Sequence, residues 1–144
     1  MKRYTALYAE FVGTFAMVFC GTAAMAVNET TGDVAHEGVA ITWGLIVMVM
    51  IYAFGSQSGA HFNPAVTTAF ALAKRFSWKK VPAYVITQIA AAVVASVAVK
   101  AIIPKSVIIG ATIPSIPHDS AFWLEFLLSF FLMIVILHIS TGSK

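Results

Sequence analysis

Apolar residues fill four stretches of the chain, at about 6–27, 38–55, 81–103 and 121–139, each bounded by short polar segments. A bilayer core of about 30 Å takes roughly 20 helical residues at about 1.5 Å apiece, so the pattern predicts four spanning helices. A fifth apolar stretch, at about 63–73, would cover only about half that thickness. It fits either an amphipathic surface piece or a half-helix that enters and leaves by one face. The first stretch carries Glu10 and outlasts the apolar region of a cleaved signal peptide, which makes it a retained span. Residues 103–120, with Pro104, Pro114 and Pro117, read as the loop joining the third and fourth spans.

Composition agrees. The 144 residues are 60% hydrophobic and 10% charged, whereas soluble domains run to about half apolar and a quarter charged. The net charge of +3 comes from small basic clusters between the apolar stretches. That distribution marks loops at a membrane surface and gives no support to nucleic-acid binding. With the four spans alternating, Lys2, Arg3, Lys74, Arg75, Lys79, Lys80 and Lys144 share one side, and only Lys100 and Lys105 face the other. The bias predicts cytoplasmic N- and C-termini, and it makes the short helix dip in from the cytoplasmic side. The first outer loop, at about 28–37, holds three acids and no lysine or arginine; its Asn28-Glu29-Thr30 fits a glycosylation sequon, at the very end of a span. Cys20, the only cysteine, lies within an apolar run, which excludes an intrachain disulfide and a thiolate metal cluster.

Glu10-Phe11-Val12-Gly13-Thr14-Phe15 in the first span is echoed by Glu125-Phe126-Leu127-Leu128-Ser129-Phe130 in the fourth, 115 positions on. Both copies place an acid in an apolar helix, where a charge costs on the order of 2.5 to 3.5 kcal/mol at mid-membrane. A unit of three spans inserts its successor in the opposite sense, as inverted repeats do. By this count the sequence holds one whole unit and the first helix of another.

Between the second span and the short helix lies Gly55-Ser56-Gln57-Ser58-Gly59-Ala60-His61-Phe62, polar and glycine-bearing for a stretch at membrane depth. Non-helical backbone is tolerated there only where protein or a water-filled cavity satisfies its polar groups. Asn63-Pro64 supplies a helix cap and a first helical residue. The asparagine amide, the free amides of the first turn and the helix dipole would attract a neutral hydrogen-bonding solute and repel a cation.

Ser58-Gly59-Ala60-His61-Phe62-Asn63-Pro64-Ala65-Val66-Thr67 resembles the first signature loop of the major intrinsic proteins, the aquaporins and aquaglyceroporins. Ala9 to Thr14, Gln88 and Glu125 match as well, so the resemblance covers essentially the whole chain. Residues 43–52 and 74–84 are similar to the nodulin-26-like subfamily. The resemblance implies an all-α membrane protein: a first three-helix repeat with its re-entrant half-helix, plus the first helix of the second repeat. It implies a solute path at Gly59, Ala60, His61, Asn63, Pro64 and Ala65, with Asn63 paired to a second Asn-Pro-Ala at mid-membrane. Glu10, Gln88 and Glu125 would support the loops. Trp43 would occupy the second-helix position of an outer aromatic filter, as in glycerol-conducting members, pointing to glycerol, urea or metalloid acids beside water. Tetrameric assembly is also implied. The sequence departs from the pattern in lacking a histidine after Gly55, and it contains neither the second Asn-Pro-Ala nor the filter arginine.

A proton relay through Glu10 and Glu125 is the competing use of the two acids. His61 has no second histidine or cysteine at ligand spacing, and no metal or other cofactor is expected. His138 reads as interfacial. Ala90, Ala91, Ala92, Ala95, Ser96 and Ala98 favour close helix packing in the third span. No nucleophile and base pair, catalytic carboxylate pair or phosphate loop is present, so no enzyme is expected. The expectation is a passive channel for water and small neutral solutes. Its alternatives are a non-conducting truncated subunit and, behind that, a proton-coupled transporter. Two copies completing one pore would need opposite insertion, against the basic bias.

Overall fold

A computed structural model describes residues 2–140; of Lys2 and Arg3 only the backbone is described, and Lys144 lies outside the described residues. Five α-helices follow in order: α1 (Lys2–Thr31), α2 (Ala35–Ser58), α3 (Pro64–Leu72), α4 (Val81–Ile102) and α5 (His118–Ile139), with a 3₁₀ turn (Trp78–Lys80) leading into α4. Four of them, α1, α2, α4 and α5, are long and apolar enough to cross a membrane. No strand occurs among the described residues. The contacts divide the chain into two compact units, residues 1–111 and residues 112–144.

In the first unit α1 packs against both α2 and α4, and α3 packs on α4. One stripe of α4 carries the contact: Tyr84, Gln88, Ala91, Ala95 and Val99 are buried at steps of four and three residues, one helical face. Ala91 and Ala95 are fully buried, as are Ala9 and Ala26 of α1. Small side chains let helix backbones approach closely where lipid offers no hydrophobic drive to association. Ile86, Ile89, Val93 and Val97 of the same helix are exposed, which is the surface a lipid-facing helix presents. In the second unit α5 exposes apolar side chains along its length, with aromatic stacking of Phe122 on Phe126 and Phe126 on Phe130.

The helices outrun the apolar stretches. α1 continues to Thr31, past the expected end at 27, and so places the Asn28-Glu29-Thr30 sequon inside the helix. α2 runs to Ser58 instead of 55. Gly55, Ser56, Gln57 and Ser58, expected in the loop, form its last turn, and the helix stops only at Gly59, whose φ of 89° turns the chain left-handed. Hydropathy marks the part of a helix that lipid would surround; backbone hydrogen bonding carries the helix further, until a residue tolerant of positive φ ends it. Between α4 and α5, Ser106 is fully buried and donates to Glu29 Oε2 at 2.6 Å. Lys100 Nζ donates to the carbonyls of Pro104 and Ser106.

Candidate functional site

The non-helical stretch is Gly59-Ala60-His61-Phe62, and three of its residues have positive φ: Gly59 (89°), Ala60 (50°) and Phe62 (51°). Such a backbone is costly for residues with a side chain and persists only where neighbours hold it. The neighbours are identifiable. Glu10, fully buried in α1, accepts from the amides of His61 (3.0 Å, Oε1) and Phe62 (2.8 Å, Oε2). Gln88 of α4 donates to the same Oε2 at 2.8 Å. Three donors on one carboxylate offset the cost of burying it. Thr14, one turn after Glu10, donates to the Phe62 carbonyl at 3.2 Å. Gly13 leaves room for the Phe62 ring, since a methyl group there would lie 2.1 Å from the ring. On the opposite flank Tyr84 donates its hydroxyl to the Ser58 carbonyl at 3.0 Å.

Thr67 is the second hub, fully buried on α3. Its hydroxyl has one hydrogen and two lone pairs. The hydrogen goes to the Asn63 carbonyl at 3.0 Å, and the oxygen accepts from Gln88 Nε2 at 2.9 Å. His61 Nδ1 lies 3.2 Å from the same hydroxyl oxygen, within hydrogen-bond reach. The imidazole stacks on Phe70 and meets Phe76 and Tyr84 at its edges. The residue is 7% exposed, its ring enclosed in this aromatic cage, so that its carbonyl is the group left to meet a solute.

The open side of the loop has a consistent polarity. Among the described residues no donor reaches the carbonyl oxygens of Gly59, Ala60 and His61. Asn63, exposed at the head of α3, accepts with Oδ1 from Ala65 N at 2.7 Å and Val66 N at 3.4 Å. Capping thus fixes the amide so that the Nδ2 hydrogens point away from the helix. The result is three acceptors followed by one neutral donor at a helix N-terminus, which can exchange hydrogen bonds with a neutral solute. α3 itself has nine residues, about 14 Å, under half a bilayer core.

Of the expected site residues, the structure gathers Gly59, Ala60, His61, Asn63, Pro64, Ala65, Glu10 and Gln88 in one place. Trp43 lies apart. It precedes Ser58 on α2 by 15 residues, about 22 Å along the axis, and its half-buried indole sits on Gly21, where a methyl group would meet the ring at 2.2 Å. Glu125 lies on α5 in the second unit and is exposed. His138 is in the last turn of α5, its ring bonded to the Ile134 carbonyl. Thr14, Thr67 and Tyr84 were not anticipated. Thr67 had one legible signal, its place one turn after the cap residue, whereas Thr14 and Tyr84 act only across the fold.

Among the described residues no group of histidine, cysteine or acidic side chains could hold a metal ion. The sequence profile of the family described as Major intrinsic protein matches residues 1–144. The chain is 45% identical over 139 residues to Aquaporin NIP1-4 of Oryza sativa subsp. japonica, covering 96% of this chain and 51% of that protein. It is 45% identical over 145 residues to Aquaporin NIP6-1 of Arabidopsis thaliana, covering 100% of this chain and 48% of that protein. Against Aquaporin NIP3-1 of Arabidopsis thaliana the identity is 41% over 147 residues, with 96% and 46% covered. The chain spans about half the length of the curated relatives it matches.

Proposed function

This chain belongs to the major intrinsic protein family, a family of channels and not of enzymes, and on that footing we propose that it forms the first half of a passive pore for water and small neutral solutes. It is an integral, multi-pass membrane protein. The reading rests on one observation above all: the cap on α3 uses the Asn63 Oδ1 and leaves its amide hydrogens unused by the helix, next in sequence to a line of carbonyls, those of Gly59, Ala60 and His61, that no described donor reaches. A solute moving along that line trades water's hydrogen bonds for the loop's acceptors and then for the Asn63 donor. A proton or metal cation meets the positive end of α3 instead.

In this proposal α3 is re-entrant from the cytoplasmic side, the termini are cytoplasmic, and Glu10 and Gln88 hold the loop. Glu125 plays the Glu10 part for a second signature loop in the full-length protein. Trp43, one helix length from the loop, belongs to an outer constriction, which fits glycerol, urea or hydroxylated metalloids beside water. Assembly is tetrameric, as the family suggests. The saturation of Glu10 by three donors speaks against the proton-coupled alternative, because a relay needs a carboxylate free to exchange its proton.

Solute flux into liposomes carrying the full-length protein tests this. Downhill glycerol or urea entry without any ion gradient is expected, with loss in Asn63→Asp, which keeps the cap oxygen and removes the amide donor. Flux that requires a proton gradient would establish the transporter, and absence of flux in the wild type would leave the non-conducting subunit.

A further inference from the structure

Beside the signature loop, on its Lys79 and Lys80 flank, lies a cavity of about 710 Å³. Its lining is mixed in chemistry. Ala6 and Leu7 of α1 and Ala83 of α4 contribute apolar groups, and Ser56 and Gln57 with the two lysines contribute polar ones. No carboxylate lines it among the described residues, and neither lysine forms an ion pair there. Lys80 is held over the Phe76 ring at 5.9 Å, which orients one ammonium at the cavity rim. The depth is also legible. Tyr4, Tyr8 and Trp78 are exposed around the same end of the bundle, and tyrosine and tryptophan collect at the headgroup level of a bilayer.

We propose that this cavity binds an anionic phospholipid of the inner leaflet, its phosphate between Lys79 and Lys80 and the upper part of its acyl chains against Ala6, Leu7 and Ala83. The inference rests on the inward placement of residues 74–80 proposed above. A glycerophosphate head with two chains uses both the polar and the apolar lining groups, whereas a free anion would use only the polar ones. Each lysine near an anionic membrane surface adds about fivefold to binding. The site also touches the signature loop. Phe76 and Tyr84 line the cavity on one side and cage His61 on the other, and Ser58 and Gly59 contribute to its floor. A bound lipid would thus brace the loop from behind.

The test is native mass spectrometry of the purified chain with phosphatidylglycerol or phosphatidylcholine, a readout independent of any conduction. Wild type is expected to retain phosphatidylglycerol about tenfold over phosphatidylcholine. Lys79→Gln/Lys80→Gln should lose that preference, and Lys79→Arg/Lys80→Arg should keep it. Lys74→Gln removes a charge from the same basic cluster but not from the cavity, and it should change retention less than twofold, against about fivefold for Lys80→Gln. Should the double variant misfold, the comparison of Lys80→Gln with Lys74→Gln decides. Equal losses in those two, no headgroup preference in wild type, or displacement of the lipid by millimolar glycerol 3-phosphate would each overturn the proposal.

Discussion

At the scale of single residues, the site depends on two side chains that never face the open side of the loop. Glu10→Ala would leave the amides of His61 and Phe62 and one hydrogen of Gln88 without their acceptor. Each buried unsatisfied group costs about 1 to 3 kcal/mol, so the chain in detergent should melt many degrees lower, as circular dichroism would show. Thr67→Val keeps the volume but removes both the donation to Asn63 and the acceptance from Gln88, and should cost about 2 kcal/mol, whereas Thr67→Ser should cost under half of that. The sequence announced Glu10 because an acid in an apolar run asks for partners. Thr67 and Thr14 carry no such signal: a threonine in a helix commonly bonds its own preceding turn, as Thr67 does with Asn63 and Thr68 with Pro64, and nothing local marks one that is also reached from another helix.

Among the elements, the loop from α2 to α3 is where the reading of the sequence and the structure part. Asn63-Pro64 marked the start of α3 because cap and first-turn chemistry are local. The end of α2 was not legible at Gly55, since two glycines stand four residues apart and only the left-handed φ at Gly59 says which one stops the helix. Gly59→Ala should therefore strain the loop and lower the melting temperature by several degrees, while Gly55→Ala, inside the helix, should leave it unchanged or slightly higher. Packing makes a related demand at Gly13. There an alanine would collide with the Phe62 ring, and Gly13→Ala should cost about 1 to 3 kcal/mol. That constraint is tertiary; in the sequence Gly13 is one more small residue in a span.

For the molecule as a whole, the four spans were legible from hydropathy alone, and the proposed inward termini follow from the basic bias. With Cys20 replaced by serine, Lys105→Cys should be labelled by a membrane-impermeant maleimide added outside cells, and Lys74→Cys only after permeabilisation. Helix neighbours were less legible. The burial of Ala91 and Ala95 on α4 could be anticipated as close packing by a small-residue stripe, but not that α4 would pack on α1. The family resemblance implied Glu10 and Gln88 separately as supports of the loop, and the contact between them, 78 positions apart, was not legible in the sequence.

The most direct measurement is the aqueous reactivity of the α3 tip in the reconstituted protein. In the same cysteine-free background, Ala65→Cys, exposed in the first turn of α3, should react with a small hydrophilic methanethiosulfonate almost as fast as a thiol in water. Val93→Cys on the exposed face of α4 should stay unreacted in lipid. Equal protection of the two would contradict a wet passage at Asn63.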